Sequence, residues 1–195
     1  MLLAPSLKEL REALKEKRTP LIGIIFAPPY TRVARERIVP RLGYLNARTA
    51  EHIHFFCAGY GAYGFAEDAK PIGEVRYDDG RVIPWEFSQR KFAEFVNEME
   101  ATTFWRYSGE ADLILLGSDL GFSDAIVFDI EAMLKDGAID NPARLFEAII
   151  EFARSRGVDA SSYELSNKKG IRLLGEVALR AIIDLLPKPL QKLWN

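Results

Sequence analysis

The chain has 195 residues, 48% of them hydrophobic and 28% charged, enough for a sizeable core under a solvated surface. Its formal charge of −2 gives no general attraction to nucleic acid or to an acidic membrane, so no nucleic-acid partner is expected. A single cysteine, Cys57, excludes an intramolecular disulfide and fits a reducing compartment, which makes a cytoplasmic location the expectation.

Met1 to Pro5 lacks the basic start and long apolar run of a signal peptide. No run approaches the roughly 18 apolar residues that a membrane-spanning helix needs. Ser6-Leu7-Lys8-Glu9 has a hydroxyl followed three residues later by a carboxylate, the pattern of a capping box. Leu7, Leu10 and Leu14 recur at helical spacing, so a helix is expected over residues 7 to 17. Residues 21–26, Leu-Ile-Gly-Ile-Ile-Phe, read as a core strand ending in Ala27-Pro28-Pro29-Tyr30-Thr31-Arg32. Residues 31 to 42 read as a helix with Val33, Ile38, Val39 and Leu42 inward, kinked or ended by Pro40.

A second buried strand is expected over 52 to 58, leaving through Gly59-Tyr60-Gly61 as a turn. Residues 74–77 and 81–83 form an expected hairpin around Asp78-Asp79-Gly80, closed by Pro84 and Trp85. Ser88 caps an expected helix from 89 to about 101 with Phe92, Phe95, Val96 and Met99 inward. Ala111 to Leu116 and Ala125 to Phe128 read as third and fourth strands. The segment 117–124 between them is short enough to join antiparallel neighbours. Asn141-Pro142 starts a helix that reaches Arg156, and a last helix is expected from about 170 to 186.

This order of elements, with Phe26-Ala27-Pro28-Pro29-Tyr30 running into a helix interrupted by Pro40, resembles the thioredoxin-like proteins. Ser108 to Leu116 is similar to that family's approach to its third strand. The resemblance implies an α/β fold with a β-α-β-α-β-β-α core, carrying an inserted β-hairpin and added N- and C-terminal helices. It covers roughly residues 20 to 157, with 66 to 87 as the insertion, inside a single domain over 1–195. A helical extension occupies about 166 to 195. The rival topology is a doubly wound sheet with all strands parallel, which the short 117–124 connection disfavours. The turn reads Pro28-Pro29-Tyr30-Thr31 where the family has Cys-x-x-Cys, and Glu110 or Ala111 stands where it has a cis-proline. Thiol–disulfide exchange needs an attacking and a resolving thiol, so that chemistry is not implied.

Parallel first and second strands would bring their exits together at one sheet edge, where open α/β sheets bind ligands. Tyr30, Thr31, Arg32, Gly59, Tyr60 and Gly61 are therefore the expected ligand-binding residues. A helix start behind Thr31, with Arg32 or Arg35, would suit a phosphate or carboxylate. Gly59-x-Gly61-x-x-Gly64 matches a dinucleotide fingerprint only nominally, because no helix is expected to open after it. For acid–base work the candidates are His52, Glu110 and Asp129, with Asp112 and Glu131 beside them. His52 and His54 alternate along one strand, about 6.8 Å apart, but no further histidine exists to complete a metal site. No metal and no cofactor is expected. Leu179 and Ile183 lie off the main stripe of the last helix and mark an expected protein-partner or homo-oligomer interface.

Three functional readings follow. The first is a non-redox intracellular domain that binds a protein partner or a small anionic ligand. The second is a hydrolase or transferase acting on a phosphorylated or nucleotide substrate. The third is a structural subunit of a complex.

Overall fold

The computed structural model describes residues 2–4, 6–15, 21–48, 52–76, 80–117 and 125–156. Two uninterrupted apolar runs make its centre. β2 (Leu21–Phe26) and β3 (Ile53–Ala58) are buried at all six positions each. A strand covered on both faces needs no polar alternation, which is why these runs show none. They pair in parallel, with Leu21 opposite Ile53 and Ile25 opposite Cys57. β1 (Leu2–Ala4) adds in parallel beyond β3, while β7 (Asp112–Gly117) runs antiparallel to β2 and β8 (Ile126–Asp129) antiparallel to β7. The five-stranded order is β1-β3-β2-β7-β8. The third and fourth expected strands are thus antiparallel neighbours.

Helices cover both faces. α1 (Leu7–Lys15) buries Leu7 and Leu10, with the Ser6 hydroxyl accepting from the Glu9 amide at 3.2 Å. α3 (Gln89–Thr102) is capped by Ser88 and buries Phe92, Phe95 and Met99. Phe26 stands edge-on to Phe92 and Phe95, at 6.2 and 5.5 Å, which docks α3 on that face. On the other face α5 (Pro142–Arg156) sets Phe146 against Phe55 at 5.4 Å. Gly23 lies under the Phe55 ring, in space that a Cβ would need. Asn141 caps α5 through a 3.0 Å bond from the Ala143 amide.

Pro40 does not end the second helix. The chain forms a π turn (Ala34–Ile38), a 3₁₀ turn (Val39–Arg41) and then α2 (Leu42–Arg48). Proline has no N–H to give the carbonyl four residues back. The Val39 amide instead reaches the Ala34 carbonyl, five back, and the helix absorbs the defect as an extra residue. Val33, Ile38 and Leu42 are buried as expected, and Val39 is partly so.

The insertion is larger than a hairpin. β4 (Tyr60–Ala62), β5 (Lys70–Arg76) and β6 (Val82–Phe87) form a second, antiparallel sheet in the order β4-β6-β5. The Gly59-Tyr60-Gly61 stretch, expected as a turn, supplies a strand after Gly59 alone. Pro84 and Trp85, expected to close the hairpin, lie inside β6. β4 pairs only with positions 85–87, so Pro84 lies outside the segment paired with β4 and its missing N–H leaves no rung broken there. A short helix, α4 (Ile130–Lys135), capped by Asp129, was also not foreseen. Residues 77–79, 118–124 and the expected last helix with Leu179 and Ile183 lie outside the described residues.

Candidate functional site

Strand direction decides which residues meet. β2 and β3 leave the sheet at the same edge, and β7 begins there, because Phe26 pairs with Asp112. β8 ends there too, since Asp112 pairs with Asp129. Tyr30, Thr31, Arg32, Gly59, Tyr60, Gly61, Glu110 and Asp129 therefore gather at one end of the sheet. His52 does not join them. It precedes Ile53, which lies opposite Leu21, and Leu21 lies opposite Gly117 at the far end. The histidine–carboxylate grouping does not form. His54 is buried in β3, and among the described residues no group of three His, Cys, Asp or Glu side chains is placed to hold a metal ion.

The turn after β2 is built by its own hydrogen bonds. The Thr31 amide donates to the Pro28 carbonyl at 3.0 Å, and the Thr31 hydroxyl lies 3.1 Å from that carbonyl and 3.3 Å from that of Glu110. The Arg35 amide then donates to the Thr31 carbonyl, which opens the helix. Tyr60 is buried and donates its hydroxyl to the Ala27 carbonyl at 2.5 Å, tying the exits of β2 and β3 together. Burial, then Cys57 and Tyr107, pushes its phenol well above the ordinary value. Gly59 takes φ +78°, and a Cβ there would lie 2.6 Å from Phe92 Cβ; the space beside Gly61 is filled by the Phe65 ring. Thr31, Tyr60 and both glycines are thus occupied by the chain itself.

What stays at the surface is Arg32, exposed, and Tyr30, 55% exposed with its ring 6.2 Å from that of Phe87. Behind them stands a continuous aromatic wall. Phe87 meets Tyr60 and Phe92, Phe92 meets Tyr107, and Tyr107 meets Trp105, which lies on Phe26 at 4.5 Å. Phe104, beside Trp105 on the loop from α3 to β7, is fully exposed. Its exposure is invisible in sequence, because loop aromatics bury or project according to the loop's path.

Asp112 is the residue whose character sequence reading missed. It is buried, and its Oδ2 accepts from the Trp105 indole at 3.1 Å and from the Ser108 amide at 3.0 Å. Oδ1 has no hydrogen-bond partner, and neither has the buried Oε2 of Glu110. Burial chiefly, with Asp129 adding, pushes the Asp112 carboxyl up to about 6 against the Ser108 amide, the Ser108 hydroxyl and the Trp105 indole, which hold it down. The Tyr107 hydroxyl donates to the Glu110 carbonyl at 2.7 Å, and its phenol is pushed up by burial first and then by Tyr30, Asp112 and Glu110. Asp129 is engaged as a cap, accepting from the Ala132 amide at 2.9 Å.

Cys57 is buried in β3, where desolvation pushes its thiol up to about 12, so it is not a thiolate at neutral pH. No helix among the described residues is long and apolar enough to cross a membrane. Comparison with protein-family models, curated proteins and solved structures found no match.

Proposed function

We propose that the chain is a thioredoxin-like, non-redox binding domain that engages a protein partner at the end of the sheet where β2 and β3 exit. The fold part of the reading is supported by strand order and direction: β1, β3 and β2 run parallel, and β7 and β8 alternate. The absence of a second cysteine removes disulfide exchange within the chain. The observation that carries the binding part is the pair of exposed aromatic rings, Tyr30 and Phe104, at the same end of the sheet as the packed aromatic wall. Exposed aromatics on a rigid support have the composition of interface anchors. A protein partner is favoured over a small anion because the Thr31 and Tyr60 hydroxyls are engaged with backbone carbonyls and the glycine spaces are filled. A cytoplasmic location is part of the proposal, as is a second association surface through Leu179 and Ile183.

The test is quantitative affinity capture of the Tyr30→Ala, Phe104→Ala double variant, with Val82→Ala on the second sheet as control. The expected result is at least about tenfold loss of a stoichiometric partner, with unchanged circular dichroism and no loss in the control. Equal recovery in all three proteins refutes the proposal.

A further inference from the structure

We propose that Asp112 and Glu110 form a recognition site for an organic cation, the ammonium or guanidinium of a basic side chain presented by a polypeptide partner. The inference rests on reading this end of the sheet as the partner surface, and it names the chemistry that the surface takes.

Buried acceptors in a folded protein are nearly always hydrogen-bonded, and an exception calls for a reason. Two such exceptions lie two residues apart here, Asp112 Oδ1 and Glu110 Oε2, and both are carboxyl oxygens. Asp112 is 1% exposed, so water does not serve it from the surface. Its other oxygen is fixed by the Trp105 indole and the Ser108 amide, which sets the orientation of the carboxyl plane. Asp129 lies across the strand pair and reinforces the negative field. A fold selecting only for stability would place an apolar side chain at such a position. The missing complement is an N–H donor carrying positive charge, which bonds a carboxylate more strongly than a neutral donor does. The phenol ring of Tyr107 stands close to these acids, and aromatic faces add attraction for ammonium and guanidinium groups. Both oxygens are buried, so in this proposal the cation reaches them by displacing the Ser108–Gly109 corner, where both residues are exposed. Gly109 holds φ +96° with no atom within 4 Å of where its Cβ would be.

The test is an NMR titration of the full chain at pH 7.5, following the Trp105 indole N–H and the Ser108 amide, the two groups bonded to Asp112. The probes are acetyl-Gly-Arg-Gly-amide, acetyl-Gly-Lys-Gly-amide, putrescine and acetyl-Gly-Glu-Gly-amide. The expected result is saturable shifts of both resonances with the two basic peptides. Asp112→Asn should weaken that binding by at least about tenfold, the scale of one charge-assisted bond. Glu110→Gln serves as the second variant should Asp112→Asn not fold, with the same expectation. No shift with either basic peptide, an equal shift in the variant, or a response to the acidic peptide instead would overturn the proposal. Binding of putrescine without the peptides would overturn its polypeptide source. Partner capture separates the two readings. Asp112→Asn keeping a partner that the Tyr30, Phe104 double variant loses overturns the cation site alone. Loss in neither overturns the surface itself.

Discussion

Asp112→Asn isolates the cost of holding a carboxylate in the interior. The ordinary aspartate value is 3.8, and burial raises that of Asp112 to about 6 in the fold. Between these values the folded chain binds more protons than the unfolded one, so stability falls as pH rises through that window. The contribution is fully present below about pH 4 and is lost above about pH 6. Integrating from pH 4 to pH 8 gives a loss of roughly 2.5 kcal/mol from this group, at 1.36 kcal/mol per tenfold change in proton affinity. The asparagine oxygen can keep the Trp105 and Ser108 bonds, while its amide nitrogen would leave unmet donors at a cost of about 1–3 kcal/mol. That cost is the same at both pH values and cancels in the comparison. The assay is urea unfolding of both proteins at pH 4 and pH 8. Relative to wild type, the variant should gain roughly 2.5 kcal/mol on going from pH 4 to pH 8. Asp129 and Tyr107, the charged and phenolic groups coupled to this carboxyl, are unchanged by the substitution, so the comparison isolates Asp112. A pH-independent difference between the proteins would refute the assignment of Asp112 as a destabilising buried acid.

Three further outcomes follow from the geometry. Gly59→Ala sets a Cβ 2.6 Å from Phe92 Cβ at φ +78°, and should cost about 2–4 kcal/mol from strain and overpacking. Gly64→Ala, also at positive φ but in open space, should cost only about 1–2 kcal/mol by the same unfolding assay. Cys57 should resist a thiol reagent in the native chain, and Cys57→Ser should cost about 1 kcal/mol without loss of partner; rapid labelling contradicts this. Leu179→Glu with Ile183→Glu should lower the mass seen by light scattering or release a bound protein, and an unchanged mass and partner set removes the proposed second surface.

β2 and β3 were legible because a strand buried on both faces writes a continuous apolar run, and α3 and α5 because their caps, Ser88 and Asn141, precede a helical stripe. β4 was not, since three residues flanked by glycine carry no period and its pairing with Phe87 is a tertiary event. α4 is six residues long, too short for a stripe, and its capping Asp129 doubles as a strand end. The π turn follows from Pro40, but whether a proline ends a helix or is absorbed depends on what holds the flanks, here buried Ile38 and Leu42. The meeting of the Tyr30 and Tyr60 segments followed from parallel strands. The separation of His52 from the carboxylates follows from strand direction as well, because β7 runs against β2 and β3 runs with it. Nothing in the residue types revealed the unpartnered oxygens of Asp112 and Glu110. They depend on tertiary placement, with the Ser108 amide and Trp105 indole taking only the other oxygen of Asp112.

The central claim is that the partner sits at the end of the sheet that β2 and β3 leave. Photo-cross-linking tests it most directly, with a benzophenone amino acid placed at Phe104 in one protein and at His52, at the opposite end, in another. A discrete cross-linked adduct is expected from position 104, abolished by Tyr30→Ala, and none from position 52. Equal adducts from both positions, or an adduct from position 52 alone, would contradict it.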